Sequence, residues 1–143
     1  KLIGLLHDIA KIYDLNTSVE MLLKYESIDV VNHYKTYPNV IHAVLGAHLA
    51  KEMYNISDEA FDAIYYHTTG TSNMTRFMEV IYVADAIEET RKYDGVNLLR
   101  EEVFKDFNKG MLLVMEKTLT YLKETNQYVN PYTIAAYNYY KED

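Results

Sequence analysis

From end to end the chain spaces its apolar residues three and four apart, and no run alternates apolar with polar residues at the period of a strand. That pattern admits helices packed on helices, so the expected fold class is all-α: a compact multi-helix bundle with short connections. Lys1 to Tyr13 reads as a first helix, and Asn16 or Thr17 is placed to cap a second through about Tyr25. A short segment around Ile28 to Tyr34 leads to a break at Tyr37-Pro38-Asn39, and Val40 to Met53 forms the next helix. Ser57-Asp58-Glu59-Ala60 opens another, a cap followed by first-turn acids, which runs to about His67. Thr68 to Asn73 is a loop of turn-forming residues, and Met74 to Arg91 is helical. Asp94-Gly95 is a turn, Val96 to about Thr125 makes one long or two consecutive helices, and Pro131 sits in the first turn of a last helix ending near Tyr140.

Length and composition narrow the functions open to such a bundle. The 143 residues, half of them hydrophobic, fit a single domain over 1–143 with its own core. No run approaches the roughly 20 apolar residues of a membrane span, so no membrane partner is expected and cytoplasmic residence is the default. The absence of cysteine removes disulfides, thiol nucleophiles and zinc-thiolate sites together. A net charge of −7 weighs against a nucleic-acid groove, yet it leaves room for a small anionic substrate wherever cations reverse the local field. Fifteen tyrosines against four phenylalanines read as amphipathic aromatics in core and rim positions, with a homodimer among the roles open to the exposed ones. The chain starts at Lys1, already inside a helical pattern and without an initiator Met, so further sequence is expected upstream.

Polar residues interrupt the inward stripes of four helices. Ile3, His7 and Ala10 share a face, with Asp8 beside them; His42 lines up with Leu45, Gly46 and Leu49. Ala60, Ala63, Ile64 and His67 form a third stripe, and Met78, Ile81 and Asp85 a fourth. A lone histidine on an apolar face is ordinarily bonded to a carbonyl, and a lone aspartate is ordinarily a cap. Inward stripes of neighbouring helices must meet, however, and here three imidazoles and two carboxylates would meet together. One metal centre accounts for all five, and nitrogen and oxygen donors without sulfur suit iron, manganese, cobalt or zinc. His48, six residues after His42, points away from that stripe, and His33 has none; neither is a first-choice ligand.

The constellation resembles the HD superfamily of metal-dependent phosphohydrolases, and within it the YqeK-type symmetrical bis(5′-nucleosyl)-tetraphosphatases. The stretches that carry the resemblance are Gly4 to Lys11, His42 to Ala47, Tyr66 to Gly70, Ile81 to Glu88, Arg91, Gly95-Val96, Asn130 to Thr133 and Asn138. It implies an HD-domain bundle that hydrolyses diadenosine tetraphosphate to two ADP, with a metal-activated hydroxide as nucleophile. It further implies two divalent transition-metal ions, iron first, one held by His7, Asp8 and Asp85 and the other by His42 and His67, with Asp8 bridging. The family has a further histidine on a helix upstream of the His-Asp pair, in a stretch expected to precede Lys1, and often has histidine where Asn130 stands.

Around that centre Lys11, one helical turn beyond Asp8, is placed to meet a phosphate or to pair with a carboxylate. Arg91 offers forked donors to a distal phosphate, or pairs with Glu88. Thr68, Thr69 and Gly70 offer hydroxyls and backbone N–H groups to phosphate. Two other functions fit the same residues: hydrolysis of a deoxynucleotide or guanosine alarmone by another member of the superfamily, and a non-catalytic nucleotide-binding helical module. The Gly-Tyr-Pro signature of cyclic-dinucleotide phosphodiesterases is absent.

Overall fold

The computed structural model describes residues 2–142, so Lys1, where the first helix was expected to begin, lies outside the described residues. Among the described residues there are nine helices and no strand, the all-α architecture that the apolar spacing predicts. The chain divides into two compact units, Lys1–Thr68 and Thr69–Asp143.

The first unit holds α1 (Leu2–Leu6), α2 (Leu15–Leu22), α3 (Ile28–Lys35), α4 (Ile41–Tyr54) and α5 (Asp58–Tyr65). The expected first helix stops early. His7 N–H still reaches the Ile3 carbonyl four residues back, but Ile9, Lys11 and Tyr13 donate three residues back, to Leu6, Asp8 and Ala10 at 3.0–3.2 Å. Three-residue winding stacks i over i+3, so Asp8 lies over Lys11 while Ala10 turns fully into the core. The cap of α2 is Asp14, which accepts from Thr17 N–H at 2.8 Å; Asn16 and Thr17 fall inside the helix. Ser57 caps α5 as expected, accepting from Ala60 N–H, with Asp58 and Glu59 in the first turn. Asn55 ends α4 in the left-handed region at φ 48°.

α4 is the centre of this unit. Its residues Ala43 to Ala47 are buried without interruption, and it packs against both α2 and α5. Leu22, Val31, Tyr34, Ile41, Val44 and Leu45 form the core around it. Burying side chains of this size contributes about 1.5–3 kcal/mol each.

The second unit holds α6 (Arg76–Ile87), α7 (Val96–Lys105), α8 (Phe107–Glu124) and α9 (Pro131–Glu142). The stretch after Gly95 is two helices. Asp106 breaks it by adopting extended backbone and accepting from Lys109 N–H at 3.1 Å, which caps α8. α8 packs on α6, α7 and α9. Gly110 allows the α7–α8 approach, since a Cβ there would lie 2.5 Å from Val103 Cα. Asn130 caps α9 through its side chain, accepting from Tyr132 N–H, and Pro131 occupies the first helical position. No helix among the described residues is long and apolar enough to cross a membrane.

Candidate metal centre

The first unit brings together His7, Asp8, Lys11, His42 and His67. His7 and Asp8 lie on the tight turns that follow α1, His42 in the first turn of α4, and His67 just past the end of α5. Gly46 shares the His42 face of α4 and meets the same turns: a Cβ there would contact Ile9 Cγ2 at 3.5 Å and the His7 carbonyl at 3.6 Å. The ring of His67 stands edge-on to both His7 and His42, with centroids 4.9 and 5.3 Å away.

Asp8 is the hub. Its Oδ1 lies 3.4 Å from His42 Nε2 and 3.5 Å from His67 Nε2, while its Oδ2 lies 3.3 Å from His7 Nε2 and 2.6 Å from Lys11 Nζ. Burial pushes this carboxyl up, but the contacts with His67 and Lys11 and the positive charge of Lys11 outweigh it and hold the group well below the usual carboxylate range. Asp8 is therefore an anion at neutral pH.

The imidazoles are oriented by their other nitrogen. His67 Nδ1–H donates to the Ile64 carbonyl at 2.7 Å, and His7 Nδ1–H donates to the Gly4 carbonyl at 2.8 Å. A carbonyl only accepts, so in the neutral ring Nε2 carries a lone pair aimed at the cluster, the arrangement of metal-ligating histidine. The 3.4–3.5 Å separations are too long for well-made hydrogen bonds, and Asp8 Oδ1 and His67 Nε2 are buried with no hydrogen bond. Leaving such atoms unsatisfied costs about 1–3 kcal/mol each. Donors at ~2.0–2.2 Å from one ion stand roughly 3.0–3.6 Å from each other, which is the spacing found here. One ligand atom from each of Asp8, His42 and His67 falls within 4.8 Å of the others, so the donor set fits a divalent cation in chemistry and in spacing.

The other residues singled out from the sequence are placed as follows. Thr68, last in the first unit, has a buried hydroxyl with no hydrogen-bond partner. Thr69 spends its hydroxyl on the Gly70 carbonyl at 2.9 Å, and Gly70 takes φ +68°, which suits glycine. Asp85 lies in the last turn of α6, in the second unit, with Oδ1 accepting from Arg91 Nη2 at 2.9 Å. Arg91 Nε donates to the Asp85 carbonyl at 3.0 Å and stands 3.5 Å from Glu88, so its main partner is Asp85. His48 bonds Glu26 at 2.8 Å and stacks on Tyr25, away from the cluster. Sequence reasoning missed Tyr93 and Arg100, which hold the end of α6 through its carbonyls; backbone acceptors leave no trace in residue spacing.

The HD domain family matches residues 1–90, a span that includes the turns after α1, α4, α5 and α6. The chain belongs to the HD-domain family. This HD-domain chain is also 33% identical to the symmetrical bis(5′-nucleosyl)-tetraphosphatase of Halalkalibacterium halodurans, over 96% of its own length and 73% of that protein's. It is 39% identical to the protein of that name from Bacillus subtilis, over 71% of its own length and 55% of the relative's. Among solved structures it is similar to a predicted HD superfamily hydrolase involved in NAD metabolism from Clostridium acetobutylicum, with TM-score 0.89 and 31% identity, over 99% of this chain and 75% of that one. By this kinship the HD-domain chain is a hydrolase.

Proposed function

We propose that this chain hydrolyses dinucleoside tetraphosphates symmetrically, converting diadenosine tetraphosphate and one water into two ADP, at a centre of two divalent transition-metal ions. The observation that carries the reading is the convergence of Asp8 Oδ1 with His42 and His67 at ligand spacing, with the His67 tautomer set by the Ile64 carbonyl. His42 and His67 would hold one cation, His7, Asp8 and Asp85 the other, and Asp8 both; the place of Asp85 rests on the family resemblance. Imidazole and carboxylate donors alone suit iron, manganese, cobalt or zinc, and the family resemblance puts iron first.

Divalent cations held there would lower the pKa of a water toward about 7 and would offset charge on phosphoryl oxygens. The chain's own residues supply the rest. Asp8, ionised and with His7 and Lys11 on its second oxygen, holds the negative charge at the hub. Lys11, its side chain 46% exposed, can follow a phosphate while staying close to Asp8. Arg91 presents a fork that serves Asp85 and is partly open to solvent, where a distal phosphate would meet it. The Thr68 hydroxyl and the backbone N–H groups of Thr69 and Gly70 are the neutral donors for phosphate. In a chain of net charge −7 such donors are what a polyanion would need.

The test is product analysis after incubation with diadenosine tetraphosphate and iron, manganese or cobalt. ADP as sole nucleotide product is expected. ATP plus AMP would overturn symmetrical cleavage, and turnover confined to a deoxynucleotide or guanosine alarmone would overturn the substrate while leaving the centre in place.

A further inference from the structure

The C-terminal end of α6 is closed by side chains. Helix ends leave carbonyls without intrahelical donors, and here three consecutive ones are taken by three different residues. Arg91 Nε donates to the Asp85 carbonyl at 3.0 Å, Tyr93 Oη to Ala86 at 2.6 Å, and Arg100 Nε to Ile87 at 2.9 Å. Arg100 then reaches further. Its Nη2 donates to the carbonyls of Glu88 at 2.6 Å and Arg91 at 3.0 Å, and its Nη1 to Asn97 Oδ1 at 2.8 Å.

Arg100 thus grips both ends of the Glu88–Arg91 turn, and that turn delivers the Arg91 guanidinium to the Asp85 carboxylate at 2.9 Å. We propose that Arg100, on α7, is a positioning residue for Asp85, acting through the Glu88–Arg91 turn and the Arg91 fork to fix where the Asp85 carboxylate stands. The inference rests on the reading of Asp85 as a metal ligand. The choice of arginine follows from the partners: a planar fork can bond carbonyls on two sides of a turn at once, whereas an ammonium is a single point. Two guanidiniums at this end also oppose the negative pole of α6. A plain helix cap would stabilise the unit without regard to what Asp85 binds, and this difference is measurable.

Manganese binding to the whole protein, followed by electron paramagnetic resonance of free Mn²⁺, separates the two roles. Arg100→Met is expected to weaken Mn²⁺ affinity about tenfold, as loss of an outer-sphere support does. Arg100→Lys, which keeps the charge and loses the fork, carries the same expectation and takes its place should the methionine variant not fold. Asp85→Asn is expected to weaken binding at least as much, and the Asp85→Asn/Arg100→Met double variant to bind no more weakly than Asp85→Asn alone, because the two residues act in series. Full additivity in the double variant, or unchanged affinity in Arg100→Met and Arg100→Lys, would overturn the role of Arg100. Unchanged affinity in Asp85→Asn would instead overturn the assignment of Asp85 as a ligand.

Discussion

The molecule contains two polar clusters built on opposite terms. Around Asp85 in the second unit, guanidiniums, a phenol and carbonyls meet at 2.6–3.0 Å, each donor aimed at an acceptor. Around Asp8 in the first unit the imidazole contacts are 3.3–3.5 Å, and two buried atoms carry no hydrogen bond. Short directed bonds fix the end of α6 and the Asp85 carboxylate in one place, as the proposed role of Asp85 as a ligand would need. On the proposed reading, the long separations converging on Asp8 are those of a cluster that would take a cation, and the Ile64 and Gly4 carbonyls orient two of its imidazoles for it.

The contrast can be tested most severely at the hub. Asp8→Asn keeps the volume and loses the anion; turnover of diadenosine tetraphosphate should fall by more than the ~100-fold that losing an outer partner costs, and bound metal should fall with it. Metal content and rate both at wild-type level would erase the distinction between the clusters. Next in size is the effect of metal on melting. Manganese at 100 times its dissociation constant should stabilise the wild-type protein by about 2.7 kcal/mol, and His67→Ala should lose most of that gain. An equal gain in the variant would remove His67 from the cation.

A smaller expected effect probes how the second unit is held. Gly110→Ala places a Cβ against the Val103 backbone and should cost about 1–3 kcal/mol in urea unfolding, since backbone yields less readily than a side chain. Below that, Ser57→Ala should cost about 1 kcal/mol by removing the cap of α5, the helix that ends just before His67. The smallest effect concerns Asp14, whose carboxyl is lowered by the bond from Thr17 N–H. A lowered carboxyl contributes stability present above its unfolded pKa of about 3.9, lost as pH falls through the lower folded value. Asp14→Asn should therefore flatten the acid limb of the stability curve and leave its neutral part nearly unchanged.

Much of the centre was legible because liganding and packing write on the same stripe. His42 and His67 stand where apolar residues belong, three or four positions from Leu45, Gly46, Ala63 and Ile64, and their convergence follows from helices sharing a core. The tight turns at His7 to Tyr13 were not legible, because His7 and Ala10 share a face under either winding. The cap of α2 was misplaced since Asp14, Asn16 and Thr17 are all good caps, and only the start of the buried face decides among them. Asp106 hid within continuous periodicity. For Arg91 the sequence offered a distal phosphate or Glu88, three residues away, because a six-residue pairing with Asp85 exists only once the helix has ended and the chain has turned back.

One property of the Asp8 cluster bears on how the protein is made. On the proposed reading its ligands Asp8, His42 and His67 are far apart in the chain, so a nascent chain would expose no complete Asp8 site until synthesis has passed His67. Cation capture at this cluster would then wait for the first unit to close around it, and a fragment ending before His67 would carry carboxylate and imidazoles but no grip on the ion.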